Sequence, residues 1–268
     1  MIKIWKNTKT LDAYIDSSIF TSDKKEADIA LLGSKTIDPD EFPKLKAIFR
    51  AGISKDNLPF EKAKQRGIKI CLPSSKVADY IFEETANFTC YLILKMLYSE
   101  VGTIDPWEKY GRIALRNKKL LIIGMGKIGS KVAKKLDMLL QILTFDACRN
   151  SEDELYPLLS QADCITLHIP NSLDNKGYFD KQKLSYMKNG AILINTARGP
   201  IVSEDDLYDE IRQDRIKAAF DVYWEEPYKG KLLEYYPDRF FMTPHVASTC
   251  NEFLEGAARD LKEIMASL

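Results

Sequence analysis

The sequence has no excess of charge and no long apolar run. Lysine plus arginine and aspartate plus glutamate each number 39, so the formal net charge is zero. Zero net charge gives no electrostatic reason to expect nucleic acid or an acidic membrane surface as a partner. No apolar stretch approaches the ~20 residues of a membrane-spanning helix, and the first residues turn polar too soon for a signal peptide. We therefore expect neither a membrane nor a nucleic acid among the partners.

Residues that bind metals or form disulfides are also few. The five cysteines are odd in number and scattered, without a CxxC pair, and there are only two histidines. We therefore expect no disulfide framework and no zinc or other metal site, and the cysteine pattern favours the reducing cytoplasm.

Short apolar runs alternate with longer amphipathic segments along the whole chain. Several of these runs are continuously apolar, which is typical of strands covered by helices on both faces, as in a parallel sheet. The alternation predicts an α/β protein. The runs are 27–33, 46–49, 67–72, 119–124, 142–146, 163–169, 191–196, 218–222 and 240–243.

The stretch 102–117 is less regular than its surroundings, since it holds Pro106, two glycines and scattered charges. We interpret it as a connection between two α/β units. The sequence therefore predicts a first domain over residues 1–98 and a second over residues 99–251, each with its own sheet.

A glycine-rich turn follows the predicted strand at 119–123. Gly124, Gly126 and Gly129 form a GxGxxG pattern, and Ile128, Val132, Leu136 and Leu140 then recur every four residues, as on one face of a helix. In a dinucleotide-binding turn the first glycine permits the tight turn, the second lets a pyrophosphate approach, and the third lets the helix pack close to the strand. The free N–H groups at the helix start then bind the phosphates.

The next predicted strand ends in Asp146, 22 positions after Gly124. An acid about 20 residues after the glycine turn accepts hydrogen bonds from the adenosine ribose of NAD. Its charge would repel the 2′-phosphate of NADP, so NAD is the favoured cofactor, although Arg149 lies close enough to oppose this preference. The alternative is a structural turn followed by a solvated aspartate.

Charged residues follow several later strands, at the edge where open α/β sheets bind ligands. Arg198 could bind a carboxylate with two parallel hydrogen bonds and polarise a neighbouring carbonyl. His245 could donate the proton that accompanies a hydride, and Glu226, if paired with it, would favour the imidazolium form. The other histidine, His168, is more simply interpreted as a packed residue beside the cofactor. Taken singly, each of these residues could equally be an ordinary surface residue.

Five segments between about residues 118 and 250 resemble, in order, the motifs of the D-isomer-specific 2-hydroxyacid dehydrogenases, including the glycerate and phosphoglycerate dehydrogenases. They are the glycine motif, 162–170, an arginine motif at 191–199, a glutamate motif at 221–227 and a histidine motif at 243–247. The resemblance implies that Arg198 binds the substrate, that Glu226 is the carboxylate partner, chosen over Glu225 because it precedes Pro227, and that His245 is the acid/base.

The same resemblance implies the other ligand contacts. Asp221 would face the nicotinamide amide, and the segment 49–57 is similar to the family's substrate loop, whose N–H groups hold the carboxylate. The substrate-binding residues are then Ala51, Gly52, Ile53 and Arg198. The cofactor-binding residues are Gly124, Gly126, Lys127, Ile128, Gly129, Asp146, His168, Thr196, Ala197 and Asp221.

At the level of the whole chain, the resemblance implies two Rossmann-like domains with parallel sheets and the active site in the cleft between them. The C-terminal helix, 252–268, would complete the first domain, and the cofactor domains would pair into a homodimer. The chain departs from the family pattern in two ways. It is unusually short before the glycine motif, and only residues 147–161 fill a place where another strand and helix are common.

The sequence thus predicts an oxidoreductase that transfers a hydride between NAD(H) and a small D-2-hydroxy or 2-oxo acid. Two alternatives belong to other classes. One is an NAD-binding regulatory protein without turnover, which would have no need of Arg198, Glu226 and His245 together. The other is a different Rossmann enzyme, such as an S-adenosylmethionine-dependent methyltransferase, which the arginine and histidine motifs disfavour.

Overall fold

The computed structural model describes residues 2–268, which form two compact units. One unit runs as far as Phe82 and includes Ser248–Leu268, and the other is Glu83–Ala247. The division falls inside a single helix, α2 (Ser75–Leu97), whereas the sequence analysis placed it after residue 98. The reason is packing: the first turns of α2 pack in the core of one unit and the later turns in the core of the other.

The first unit contains a four-stranded parallel sheet in the order β1-β2-β3-β4. Each strand therefore pairs with the strand that precedes it in the sequence. Every residue of β2 and β3 is buried, so both faces of these strands are covered. The strands are β1 (Ile4–Lys6), β2 (Ile29–Leu32), β3 (Ala47–Arg50) and β4 (Lys69–Cys71). Besides α2, the unit contains the helices α1 (Phe60–Gln65) and α7 (Asn251–Ala266).

The last helix packs closely on α2 within this unit. A Cβ atom added to Gly256 would lie 2.5 Å from a methyl carbon of Val77. Buried residues of α7, among them Phe253 and Leu261, share one core with Val77 and Ile81 of α2 and with the sheet. Ser248–Leu268 is thus part of the same compact unit as the N-terminal strands.

The second unit contains a six-stranded parallel sheet in the order β12-β11-β10-β9-β7-β8. Its strands are β7 (Lys119–Ile123), β8 (Gln141–Phe145), β9 (Cys164–Leu167), β10 (Ala191–Asn195), β11 (Ile216–Phe220) and β12 (Phe240–Met242). Its helices are α3 (Lys127–Leu136), α4 (Leu155–Leu159), α5 (Lys181–Tyr186) and α6 (Glu204–Arg212). Apolar cores lie on both faces of this sheet, which explains why its strands are continuously apolar.

A small hairpin precedes this sheet in the stretch that the sequence analysis interpreted as irregular. It pairs β5 (Gly102–Thr103) with β6 (Glu108–Lys109), and a short 3-10 helix, Leu115–Asn117, follows. All nine predicted apolar runs contain strands, so the α/β prediction is confirmed. The sequence analysis missed β1, because its three residues, Ile4–Lys6, are too few to show periodicity.

One edge of the larger sheet is formed by β8, which pairs only with β7. The segment after it contains a 3-10 helix, Glu152–Glu154, and α4, and no strand. A capping box at Ser151 and Glu154 starts this helical segment, so the chain turns directly from β8 towards β9. As the shortness of residues 147–161 led us to expect, no additional strand lies between β8 and β9 among the described residues.

No helix among residues 2–268 is long and apolar enough to cross a membrane. None of the five cysteines forms a disulfide among residues 2–268. Within the same residues, no group of histidine, cysteine and acidic side chains is arranged to hold a metal ion.

Candidate active site

The glycine turn lies between β7 and α3, as predicted. Gly124 has φ +96°, and a Cβ there would lie 2.5 Å from the carbonyl oxygen of His168. A Cβ on Gly129 would lie 2.0 Å from the carbonyl oxygen of Gly124, so α3 can approach the turn only because this residue has no side chain. Both glycines are therefore required by the backbone packing itself.

Gly126 differs from these two glycines, because a Cβ on it would meet no atom within 4 Å. It is the N-cap of α3 and supplies no side-chain cap to the helix, whose first residues are Lys127 and Ile128. The structure thus leaves open space above the turn, at a helix N-terminus where phosphate groups bind favourably. These residues fit the pyrophosphate of a dinucleotide.

Asp146 follows β8 and lies against the same turn. Its Oδ2 accepts a hydrogen bond from the N–H of Met125 at 2.8 Å, and its Oδ1 accepts one from the N–H of Cys148 at 3.0 Å. The hydrogen bond from Cys148, followed by that from Met125, lowers the pKa of this carboxyl. Asp146 therefore stays ionised at neutral pH and fixes the end of β8 to the glycine turn.

The predicted catalytic residues follow three neighbouring strands of the sheet. Arg198 follows β10, Glu226 follows β11, and His245 follows β12. Because all three strands are parallel, these residues lie at the same edge of the sheet.

The His245 ring is hydrogen-bonded to Glu226. Its Nδ1 lies 2.9 Å from Oε1 and 2.8 Å from Oε2 of Glu226, and both side chains are half-buried. Glu225, the neighbouring acid, is exposed, so the choice of Glu226 agrees with the geometry. Since Nδ1 faces the carboxylate, Nε2 on the opposite side of the ring is left for proton exchange.

Several influences act on the pKa of Glu226. Burial acts to raise it, but the hydrogen bond with His245, the charge of His245, the N–H of Tyr223 and the charge of Arg198 together lower it. Glu226 is therefore an anion over the neutral range, positioned to stabilise a protonated imidazole.

Asn195 organises the loop that carries Arg198. It is completely buried at the end of β10, where its Oδ1 accepts a hydrogen bond from the N–H of Ala197 and its Nδ2 donates one to the carbonyl of Arg198. The Arg198 guanidinium donates to the carbonyl of Ala197 at 2.7 Å. The hydroxyl of the preceding residue, Thr196, is buried 2.8 Å from that of Thr89. The sequence analysis missed Asn195, although a polar residue at the end of an apolar strand was a usable signal.

Asp221 is buried directly after β11, and both of its oxygens bind the turn that carries His245. Oδ1 accepts from the Thr243 hydroxyl at 2.6 Å and from the N–H of Val246 at 2.9 Å, and Oδ2 accepts from the N–H of Ala247 at 2.9 Å. Burial raises its pKa, although these hydrogen bonds and the charge of His245 oppose the effect. Its observed contacts hold the histidine turn, and its contact with nicotinamide stays a prediction.

His168 lies near the glycine turn and not beside His245, since β10 and β11 separate β9 from β12. Its Nε2 is 3.1 Å from the hydroxyl of buried Thr166, and burial lowers its pKa to about 4. The ring is therefore neutral at pH 7, which agrees with a packed residue at the cofactor end of the sheet.

The predicted substrate loop belongs to the other unit. Its N–H groups are partly used: that of Ala51 donates to the Leu32 carbonyl at 2.8 Å, and that of Gly52 donates to the Arg50 carbonyl at 2.9 Å. Gly52 has φ +145°, and Arg50 is buried with a guanidinium hydrogen bond to the carbonyl of Ala51. Three backbone N–H groups were predicted to hold the substrate carboxylate. Among residues 2–268, the N–H of Ile53 is the one of these three that donates no hydrogen bond to a backbone carbonyl.

Residues 100–247 match the family model described as "D-isomer specific 2-hydroxyacid dehydrogenase, NAD binding domain". The hydroxypyruvate reductase of Thermotoga maritima is 32% identical over 226 residues, which are 78% of this chain and 72% of that protein. The D-3-phosphoglycerate dehydrogenase of Archaeoglobus fulgidus is 33% identical over 229 residues, 78% of this chain but only 42% of that longer protein.

Solved structures have the same fold. The D-lactate dehydrogenase of Aquifex aeolicus, crystallised with NAD and lactic acid, superposes with a TM-score of 0.80 at 23% identity, over 98% of this chain and 94% of that one.

The chain belongs to the D-isomer specific 2-hydroxyacid dehydrogenase family. It is an NAD-dependent oxidoreductase, and its residues 100–247 form the NAD-binding domain of that family. Membership rules out the methyltransferase alternative that the sequence left open.

Proposed function

We propose that this enzyme reduces a small 2-oxo acid to the D-2-hydroxy acid, with Arg198, Glu226 and His245 as the catalytic residues. The observation that carries the proposal is the hydrogen bond between His245 Nδ1 and the Glu226 carboxylate at 2.8 Å. A half-buried histidine held by a carboxylate on one nitrogen is an acid/base with a defined proton-bearing atom on the other. The nicotinamide cofactor, when bound, would supply the hydride as NADH in reduction and accept it as NAD⁺ in oxidation.

Each of the three residues would have a separate role in the reaction. Arg198 would bind the substrate carboxylate and polarise the neighbouring carbonyl, since a guanidinium matches a carboxylate with two parallel hydrogen bonds. His245 would donate its Nε2 proton to the carbonyl oxygen as the C–H bond forms, and would take that proton back in oxidation. Glu226 would compensate the imidazolium charge before transfer.

For the cofactor, we propose that Gly124, Gly126, Gly129 and the first residues of α3, Lys127 and Ile128, hold the pyrophosphate. Asp146 would bind the adenosine ribose. The remaining members of the predicted cofactor site are His168, Thr196, Ala197 and Asp221, which follow β9, β10 and β11 at the same edge of the sheet.

We also propose that the enzyme is a homodimer formed through its cofactor unit and that it works in the cytoplasm. The hairpin of this unit and the segment after it support the dimer, because they present large apolar side chains to solvent: Ile104 is 80% exposed, Trp107 76% and Ile113 59%. Large exposed apolar side chains close together in sequence are a feature of protein interfaces. The odd number and scattered placement of the five cysteines agree with a reducing compartment.

The proposed activity can be tested by a screen of NADH oxidation with glyoxylate, hydroxypyruvate, phosphohydroxypyruvate, pyruvate and bulkier 2-oxo acids. We expect at least one of them to be reduced, with the D-enantiomer as product. Binding of NADH, followed by the change in cofactor fluorescence, is measured in parallel. A protein that binds NADH but reduces none of these acids would be the regulatory alternative, and the proposal would fail.

A further inference from the structure

The backbone at His245 is in an unfavourable conformation. Its φ is +55°, and it is one of two non-glycine residues with positive φ among residues 2–268. Side chains disfavour this region, so such a residue persists only where the surrounding structure holds it there. The position of the imidazole therefore depends on the contacts that fix the turn on both sides of His245.

Two side chains hold the turn: Asp221 binds it on both sides of His245, and Tyr223 binds it before His245. After the histidine, the Asp221 carboxylate accepts the N–H groups of Val246 and Ala247. Before it, the hydroxyl of Tyr223 accepts the N–H of Thr243 at 3.0 Å. The same hydroxyl lies 2.8 Å from the carbonyl oxygens of both Thr243 and Phe220, and donates its proton to one of them.

Tyr223 is itself held firmly in place. It is 8% exposed, and its ring stacks on that of Tyr228 with centroids 5.2 Å apart. Burial raises the pKa of Tyr223, so the hydroxyl remains a donor. It therefore ties the end of β11, at Phe220, to the first residue after β12, at Thr243.

We propose that Tyr223 is a positioning residue for His245, acting through Thr243. Its hydroxyl holds the backbone at the start of the turn, while Asp221 holds the Thr243 side chain and the backbone at the end. The strained histidine between these contacts is kept against Glu226. This inference rests on the proposed role of His245 as the acid/base.

The test compares Tyr223→Phe with Tyr228→Phe. Both variants keep the aromatic ring, which is buried at Tyr223 and half-buried at Tyr228, and lose one hydrogen-bonded hydroxyl. That of Tyr228 binds Glu204 at 2.7 Å and accepts the N–H of Leu232 at 3.3 Å, so it does not reach the histidine turn. We expect Tyr223→Phe to lower kcat for 2-oxo acid reduction about tenfold with little change in the KM for NADH, because a misplaced group costs rate and not cofactor binding. Tyr228→Phe should keep the wild-type kcat.

A second readout does not depend on turnover. The chain has only two histidines, so the ring N–H signals of His168 and His245 can be assigned by NMR with a His245→Asn reference. Tyr223→Phe should weaken or broaden the signal of the Nδ1 proton that His245 shares with Glu226, and Tyr228→Phe should not. If this signal changes but even the wild type reduces no 2-oxo acid, the proposed function fails and the positioning role stands. An unchanged signal together with an unchanged kcat in Tyr223→Phe would overturn the inference.

Discussion

At the scale of single residues, we expect the negative charge of Glu226 to govern how the site responds to pH. In the proposed reaction, reduction requires a protonated His245, and Glu226 stays ionised because its pKa is lowered. Glu226→Gln keeps the shape of the side chain but removes the charge that stabilises the imidazolium. The falling limb of the reduction profile should therefore move to lower pH by roughly one unit.

The measurement for Glu226→Gln is the pH dependence of 2-oxo acid reduction with substrate far below saturation, so that the free enzyme is reported. Glu225→Gln is the control, since Glu225 is exposed and should leave the limb in place. A limb that moves with Glu225→Gln and not with Glu226→Gln would reverse the assignment.

Truncation of His245 or Arg198 should abolish most turnover without unfolding the protein. Both side chains are only half-buried, so their loss leaves no large cavity. His245→Ala and Arg198→Ala should each lower kcat/KM by 10²–10⁴-fold, the usual contribution of a positioned acid/base or charged substrate contact. Thermal unfolding of the variants should match the wild type. A His245→Ala enzyme with near wild-type reduction would disprove the role of this residue.

The positions of the proposed catalytic residues at one edge of the sheet could be predicted, because charged residues follow apolar strands of the sequence in a recognisable order. The residues that position these side chains could not be predicted from the sequence. Tyr223 and Asn195 act through hydrogen bonds to backbone groups whose positions depend on how neighbouring strands end. Nothing in the local sequence states that the His245 turn has positive φ, because a histidine does not by itself require that conformation.

At the scale of elements, the glycines of the β7–α3 turn should separate into two kinds. In Gly129→Ala the new methyl group would lie 2.0 Å from the Gly124 carbonyl, so the turn or the helix must shift, and a loss of stability of about 1–3 kcal/mol is expected. In Gly126→Ala nothing lies within 4 Å and φ is −75°, so the melting temperature should be retained. The same methyl group would occupy the space proposed for the pyrophosphate and should weaken NADH binding about tenfold or more.

Thermal unfolding and NADH titration of both glycine variants provide the test. If Gly126→Ala binds NADH as tightly as the wild type does, the pyrophosphate does not lie where we propose.

The end of β8 should determine the choice of cofactor. Wild type is expected to bind NADH at least tenfold more tightly than NADPH, because the ionised Asp146 would repel the 2′-phosphate. Asp146→Asn should narrow this preference, while Arg149→Ala should weaken only NADPH. Titration of both cofactors against the three proteins measures this effect, and equal affinities in the wild type would show that Arg149 dominates.

The helices α3 and α2 show what local sequence patterns can and cannot predict. The periodic residues after the glycine turn predicted a helix as far as Leu140, yet α3 ends at Leu136 and Leu140 packs in the same core from the following turn. The spacing of apolar residues indicates which residues are buried. A residue such as Leu140 can be buried from a turn, so the helix need not continue to it. The boundary of the two units inside α2 was equally invisible, because a helix that enters two cores has apolar residues along its whole length.

At the scale of the whole molecule, the hairpin is expected to lie in the dimer interface. Trp107→Asp would place a charge in an apolar contact and should convert the dimer to a monomer. Light scattering after size exclusion should then give the chain mass of 30.6 kDa in place of twice that mass. Leu173→Asp is the matched control, because Leu173 is 93% exposed in a different loop. A monomeric wild type, or a dimer that persists in Trp107→Asp, would contradict the proposal.

The edge position of β8 makes the segment after Asp146 a point at which the sheet can grow. The N–H and C=O groups of Ile142 and Thr144 point away from β7, since the alternate residues of β8 make the ladder to it. A strand inserted between Asp146 and Ser151 could join these groups and extend the sheet without displacing any interior strand. Insertion or deletion at this one place would therefore change the length of the chain. It would leave the glycine turn in place, together with the ends of β10, β11 and β12 that Arg198, Glu226 and His245 follow.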